Sequence, residues 1–180
     1  QATMNTELAV RFGRKVRDLI ADPIYSDVFP DTDLKQDSQA AGRWETSRGG
    51  EYFAAGVGAA MTGRGADLLI IDDPHSEQDA LSSTAYDNTY EWYTSGPRQR
   101  LQPGGTIIIV QTRWSKKDLT GRLIADQAKD TMADQWEVVE FPAILPSEKP
   151  LWPEFWNTEE LLKVKASLSI GKWNAQWQQN

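Results

Sequence analysis

The segment Ala66–Pro74 reads ADLLIIDDP, so four bulky apolar residues lead directly into two carboxylates and a proline. An uninterrupted apolar run of this length predicts a strand buried on both faces, as in a parallel sheet covered by helices. Asp72 and Asp73 are therefore predicted to lie at the carboxyl end of that strand, where open α/β sheets bind their ligands. A core strand that ends in an ordinary Asp-Pro turn is the structural alternative.

A second apolar run, Thr106–Val110, predicts another buried strand, and Gln111, Thr112 and Arg113 follow it. These polar side chains should share a sheet edge with the two aspartates, where a hydroxyl and an amide can contact a γ-phosphate or its attacking water. The pair of strands then has the layout of a Walker B strand, whose acid holds the Mg²⁺ of a bound nucleotide, beside a sensing strand. Alternatively, Thr112 only begins a surface turn.

Composition restricts the class of protein. The 180 residues suffice for one ordinary domain, and the absence of cysteine excludes disulfides and thiolate metal sites. No apolar segment approaches the roughly 20 residues that cross a bilayer, and no signal-peptide pattern is expected at the N-terminus. The net charge of -7 argues against a broad DNA-binding surface, although a local basic patch stays possible.

The remaining patterns predict alternating helices and strands, and hence an α/β fold with a parallel sheet and right-handed crossovers. The first predicted helix is capped by Thr3 or Asn5 and ends at Asp22-Pro23. A loop over 30–50 with a short strand at 43–46, a strand over 51–58 and a helix from Ser76 and Asp79 to Trp92 are predicted to follow. The later predicted elements are a turn at 103–105, a helix capped by Ser115 and Asp118, a strand over 136–141 and a helix capped by Asn157 and Glu160.

Three segments resemble the large terminase subunit of tailed bacteriophages, the ATPase motor that packages viral DNA. They are Thr62–Pro74, which resembles the Walker B region, Pro103–Ser115, which resembles the coupling motif, and Leu151–Glu154 with Trp173–Gln179, which resembles the end of the ATPase domain. The resemblance spans nearly the whole chain. It implies a RecA-like ASCE P-loop NTPase fold, with residues 1–150 as a partial ATPase core and residues 151–180 as the segment that closes it.

The same resemblance implies roles for individual residues. Asp72 would hold Mg²⁺, and Asp73 would orient the attacking water in place of the family's more common glutamate. Thr112 and Gln111 would sense the γ-phosphate of ATP. Arg64 would act on the nucleotide of a neighbouring subunit, with a surface arginine in a glycine-rich turn as the equal alternative.

One motif of the family is missing from the sequence. The phosphate-binding pattern G-x-x-x-x-G-K-[ST] does not occur, because Gly171-Lys172 is followed by Trp173 and preceded by Ala166 at the first glycine position. We expect such a loop upstream of Gln1, and a nuclease domain after Asn180. The 180-residue chain alone is accordingly expected to bind Mg-ATP weakly or not at all.

The implied partners are double-stranded DNA, a portal protein, a small terminase subunit and further copies in a homo-oligomeric ring. The implied location is the host cytoplasm, with no contact to a membrane.

Two other functions stay open: a metal-dependent nuclease or phosphohydrolase that uses Asp72 and Asp73 with Glu51 or Asp87, and a non-catalytic assembly module. His75 is expected to be a solvated loop residue. The tryptophans at 92, 152, 156 and 177 are expected to be core or interface anchors, and the basic stretch over 98–122 a solvated face or a DNA or subunit contact.

Overall fold

The computed structural model describes residues 1–61 and 63–179, which form two compact units, Gln1–Gln111 and Thr112–Asn180. Thr62, in the segment predicted to precede the Walker B strand, lies outside the described residues. The helices and strands are β1 (Ala2–Thr3), α1 (Thr6–Ile20), α2 (Pro23–Val28), β2 (Leu34–Ala40), β3 (Arg43–Thr46), β4 (Glu51–Phe53), β5 (Ala55–Gly56), β6 (Ala66–Asp72), α3 (Ser83–Ser95), β7 (Leu101–Val110), α4 (Leu119–Lys129), α5 (Thr158–Ser167) and α6 (Ile170–Gln176).

The first unit contains a four-stranded sheet in the order β5-β1-β6-β7, in which every neighbouring pair is parallel. The predicted α/β fold with a parallel sheet is thereby confirmed. Thr3 pairs with both Gly56 and Asp72, and Asp72 pairs with Val110. The carboxyl ends of all four strands therefore lie in one row along the same edge.

The prediction that β6 and β7 are buried on both faces is wrong. Leu69 and Ile71 are almost fully buried, but Leu68 is 52% exposed and Val110 is 55% exposed. Successive side chains of a strand point to opposite faces, so the apolar run supplies one packed face and one largely open face. A run of apolar residues cannot distinguish these two cases.

Helix α1 starts as predicted, because the Asn5 side chain accepts a hydrogen bond from the Leu8 amide at 2.9 Å. Its buried positions are Ala9, Gly13 and Ile20, whereas its other large apolar residues keep part of their exposure. The Tyr52 hydroxyl donates to the Ala9 carbonyl at 2.8 Å, so the tyrosine ring crosses the helix next to Gly13. Small residues are needed where the helix and ring approach this closely.

The predicted end of α1 is nearly right. The helix stops at Ile20, and Asp22 then caps α2, with Pro23 in its first turn.

Residues 30–50 were predicted to be mainly loop, and this prediction is wrong. Strand β2 joins β3 and β4 in a second, antiparallel sheet of three strands, while β3 lies at the predicted 43–46. The sequence of β2, LKQDSQA, is too polar to be recognised as a strand. Cross-strand pairs stabilise it instead, including an ion pair of 3.0 Å between Lys35 and Glu45. The single strand predicted over 51–58 is two strands, β4 and β5, which belong to different sheets.

Two helix starts differ from the prediction. Ser76 and Asp79 exchange hydrogen bonds, but they open a short 3₁₀ turn over Asp79–Leu81, and Ser82 caps α3. Asp118 alone, without Ser115, is the N-cap of α4.

The predicted turn at 103–105 is also wrong, because these residues belong to β7. The pairing register of β7 with β6 shifts there, and Gly104 has a positive φ of 81°.

In the second unit, the predicted capping box of α5 is confirmed, since Asn157 and Glu160 bond each other's backbone amides. The strand predicted over 136–141 is wrong, because this segment has no ladder partner among residues 1–61 and 63–179. Alternating apolar residues suit a strand, but a neighbour is required to complete it. Trp173 is the largest fully buried side chain of this unit.

None of the helices in residues 1–61 and 63–179 is both long and apolar enough to span a bilayer.

Candidate functional site

The two predicted strand ends lie side by side at the carboxyl edge of the parallel sheet. The Asp73 amide donates to the Val110 carbonyl of β7 at 2.8 Å, and the Asp73 carbonyl accepts from the Met4 amide at 3.1 Å. Asp73 is thus attached to the residues that end or follow both neighbouring strands. The acidic pair lies where parallel α/β sheets bind their ligands.

Asp73 has a left-handed backbone conformation, with a φ of 43°. An L-residue in this region costs about 1–3 kcal/mol, although aspartate tolerates it better than most residues. The two backbone hydrogen bonds hold the residue in this conformation. Such local strain is concentrated at functional sites.

The surroundings of Asp72 disfavour its charged form. Burial raises the pKa of Asp72 above its ordinary value, and the nearby charge of Asp73 raises this pKa further. Both side chains keep partial access to solvent. A divalent cation would offset both effects on Asp72, and carboxylate oxygens are ligands that suit Mg²⁺.

His75 is buried, with 3% of its surface exposed, so the prediction of a solvated loop histidine is wrong. Its ring meets the Tyr86 ring of α3 edge-on, with centroids 5.0 Å apart and an interplanar angle of 80°. The turn at Asp73 therefore directs the chain into the core at Pro74 and His75. The sequence carries no signal for this contact, because Tyr86 belongs to an element whose position depends on the fold.

Gln111 and Thr112 follow β7 directly and are partly buried. Gln111 is the last residue of the first unit, one residue beyond the Val110 carbonyl that binds Asp73. Thr112 is the first residue of the second unit. Their roles toward a γ-phosphate remain predictions.

The segment after Thr112 is organised by a residue that sequence reasoning treated only as a helix cap. The Asp118 side chain is fully buried and accepts from the amides of Trp114 at 3.0 Å, Ser115 at 3.1 Å and Gly121 at 2.8 Å. It also accepts from Nε of Arg113 at 3.2 Å. Burial acts to raise the pKa of Asp118, but these hydrogen bonds and the Arg113 charge together lower it below its ordinary value. Arg113–Asp118 is therefore a fixed loop around one buried carboxylate.

Arg64 lies on the surface of β4. Its guanidinium pairs with Glu51 and lies 4.4 Å from the centroid of the Phe53 ring. Nε of Arg43 pairs with the same glutamate oxygen at 3.1 Å. The Glu51 carboxylate thus forms ion pairs with two arginines. A role of Arg64 toward a neighbouring subunit remains a prediction.

Among residues 1–61 and 63–179, no three histidine, cysteine, aspartate or glutamate side chains are grouped as a metal-binding cluster. Neither a protein-family model nor a curated protein matches the sequence of this chain.

Proposed function

We propose that this chain is part of the ATPase domain of a viral DNA-packaging motor of the terminase large-subunit type, with a RecA-like core. In that role it couples ATP hydrolysis to the movement of double-stranded DNA into a prohead. Partners of the intact motor are further copies of the chain, a portal protein and a small terminase subunit. The proposal extends the resemblance of the three sequence segments.

The observation that carries the proposal is the acidic pair at the carboxyl edge of the parallel sheet. Asp72 continues an in-register strand beside β7, and Asp73 is bonded to the last residue of β7. A nucleotide motor needs a metal-binding acid and a water-orienting acid beside a phosphate-sensing strand end. The proposal gives the first role to Asp72, the second to Asp73 and the third to Gln111 with Thr112.

The residues fit a magnesium-bound nucleotide in charge and in donor type. Asp72 would hold the cation directly or through water, and Asp73 would orient the attacking water. When bound there, Mg²⁺ would supply positive charge against the charge that develops on the phosphate oxygens. Asp73 is one methylene shorter than glutamate, so its carboxylate reaches less far. The fixed backbone position of Asp73 therefore determines which water it could orient.

A metal-dependent nuclease is the second candidate, and the acidic pair alone supports it. Its expected third ligand was Glu51 or Asp87. Glu51 is instead paired with Arg43 and Arg64 on β4, and Asp87 lies on α3. Titration with Mn²⁺ in the absence of nucleotide separates the two functions. Tight binding that Asp72→Asn abolishes favours the nuclease, whereas binding that requires ATP favours the motor.

The decisive experiment begins with the coding sequence on either side of this chain. A phosphate-binding loop upstream and an acidic nuclease core downstream are expected. In the protein encoded by the whole reading frame, Asp72→Asn and Asp73→Asn should each lower DNA-stimulated ATP hydrolysis about 100-fold or more.

Asp67→Asn is the matched control for those variants, because Asp67 is exposed on the same strand and loses the same charge. Full hydrolysis by the Asp72→Asn protein, or an equal loss in the Asp67→Asn protein, would contradict the motor proposal.

A further inference from the structure

The residue proposed to orient the attacking water is an aspartate at a position with an unusual backbone. Asp73 has a φ of 43°, and among residues 1–61 and 63–179 only Glu148 and Gln179 share a positive φ without being glycine. We propose that this left-handed conformation selects aspartate over glutamate at position 73. The inference rests on the proposed ATPase function. It predicts that Asp73→Glu, which introduces the acid more common in the terminase family, lowers hydrolysis.

The side chain of residue 73 affects the cost of this conformation. Aspartate is enriched several-fold among left-handed residues, because its short polar side chain can hydrogen-bond to the nearby backbone. The carboxylate of glutamate lies one methylene further from the backbone, so this local bond forms less readily. A glutamate at position 73 should therefore favour an extended conformation more strongly than aspartate does.

The next residue acts in the same direction. A proline ring disfavours the α region for the residue before it and shifts that residue toward an extended backbone. Pro74 is fully buried and His75 is 3% exposed, so the chain beyond Asp73 is anchored in the core. The left-handed conformation therefore depends on the contacts that residue 73 makes with its neighbours.

Two hydrogen bonds hold residue 73 against the extended preference. Its amide donates to the Val110 carbonyl at 2.8 Å, and its carbonyl accepts from the Met4 amide at 3.1 Å. If the amide stays on Val110 while φ becomes extended, rotation about the N–Cα bond moves the carbonyl away from Met4 and turns Cβ in another direction. A misplacement of about 1 Å can cost about 100-fold in rate. The longer reach of glutamate would thus come with loss of the fixed position.

Glu148 provides a comparison within the same chain. It has a φ of 61°, but it is exposed and precedes Lys149 rather than a proline. Its amide donates to the Leu145 carbonyl at 2.9 Å, within a turn. The left-handed conformation of a glutamate is tolerated there, and the preference for aspartate predicts that Glu148→Asp stabilises the chain.

The first part of the test is urea denaturation of the 180-residue chain, which needs no nucleotide. Asp73→Glu keeps the charge and should shift the unfolding midpoint to a lower urea concentration. The uncharged variants Asp73→Asn and Asp73→Gln repeat the comparison, and the glutamine variant should have the lower midpoint. Asp67→Glu makes the same exchange in the extended strand β6 and should not lower the midpoint. Glu148→Asp should raise it.

Hydrogen exchange measured by NMR tests the contact itself. The Met4 amide should exchange at least about tenfold faster in the Asp73→Glu chain than in the wild type, because its acceptor carbonyl moves away. The amides of α3 serve as the internal reference, since they do not contact this carbonyl. A faster exchange that is confined to Met4 and position 73 identifies a local change of the backbone rather than a general loss of stability.

The second part of the test uses the protein encoded by the whole reading frame. Asp73→Glu should lower kcat for DNA-stimulated ATP hydrolysis at least about tenfold. KM for ATP should change little, because Asp72, the residue that would hold the cation, is unaltered. Asp67→Glu should hydrolyse ATP at the wild-type rate.

Three outcomes overturn the inference. They are an Asp73→Glu protein that matches or exceeds the wild type in kcat, a urea midpoint that is not lowered by this exchange, and a Met4 amide that keeps its protection. In each case the proposed ATPase function stands, provided that the wild-type protein hydrolyses ATP. A wild-type protein that hydrolyses no ATP would instead refute the proposed function, and this inference with it.

Discussion

The backbone amide of Asp73 donates to the carbonyl oxygen of Val110 across 2.8 Å, which joins the second acid of the pair to the end of the neighbouring strand. A second bond, from the Met4 amide to the Asp73 carbonyl at 3.1 Å, attaches the same residue to the chain after β1. These contacts fix a left-handed residue between two strands. Its side chain therefore starts from a backbone position that the sheet determines.

Replacement of Asp73 tests whether this conformation is strained. Glycine adopts a positive φ without steric cost, whereas alanine does not, so the Asp73→Gly chain should unfold with a free energy about 1 kcal/mol higher than the Asp73→Ala chain. Urea denaturation measures the difference. The same exchange at Asp67, in the extended strand β6, should give the opposite order. Equal stabilities of the two Asp73 variants would show that the left-handed turn carries no strain.

Asp72 should make the fold less stable at neutral pH than an uncharged residue would. Its folded-state pKa is raised by burial and by Asp73, so the unfolded chain releases this proton more readily than the folded chain does. The Asp72 contribution to stability is therefore greatest below the unfolded pKa, near 3.8, and is lost as the pH rises through the higher folded pKa.

Asp72→Asn should accordingly increase the free energy of unfolding at neutral pH. Its advantage over the wild type should shrink toward zero as the pH falls to the ordinary range of an aspartate. Urea denaturation at several pH values, with Asp67→Asn as the control, measures this. A stability gain that does not depend on pH would contradict a raised Asp72 pKa. A residue that destabilises the fold in this way is typical of a functional site.

The acidic pair could be predicted from sequence because its signal is local. Four apolar residues followed by Asp72 and Asp73 identify a strand and its end without knowledge of the rest of the fold. The neighbouring position of β7 also followed, since consecutive strands of a parallel α/β sheet are commonly adjacent. The left-handed conformation of Asp73 did not follow, because it depends on hydrogen bonds to Met4 and Val110 in other elements.

The features that sequence reasoning missed depend on contacts between distant residues. His75 is buried because α3 places Tyr86 against it. Strand β2 is polar and exists through its pairing with β3. Helix α1 is buried at the small residues Ala9 and Gly13 because the Tyr52 ring crosses it there. None of these partners is specified by periodicity within a single segment.

Asp118 should be a major source of stability in the second unit. Asp118→Ala leaves three backbone amides and the Arg113 guanidinium without their buried acceptor, and should cost about 3 kcal/mol. Because the folded pKa of Asp118 is lowered, its contribution is present above the unfolded pKa, near 3.8, and is lost as the pH falls through the folded value.

The pH dependence of stability distinguishes the effect of the Asp118 charge from the effect of its size and shape. The Asp118→Asn chain keeps one acceptor oxygen and should lose less stability in acid than the wild type, although it is less stable at neutral pH. Thermal unfolding across the acidic range measures both effects. If Asp118→Ala unfolds at the wild-type temperature, the buried carboxylate does not hold the loop over 113–118.

Gly13 and Gly171 provide a matched test of how α1 packs, since both are helical glycines. A Cβ at Gly13 would lie 2.2 Å from the Tyr52 ring and 2.8 Å from the Ala41 carbonyl oxygen, whereas a Cβ at Gly171 would meet no atom within 4 Å. Alanine favours a helix by about 1 kcal/mol over glycine, so Gly171→Ala should stabilise the chain by up to that amount. Gly13→Ala should instead destabilise it by about 1–3 kcal/mol, because the added methyl group overpacks the contact. Urea denaturation compares the two variants directly. If Gly13→Ala is as stable as Gly171→Ala, the close approach of α1 to Tyr52 is wrong, and small residues are not needed where the ring crosses the helix.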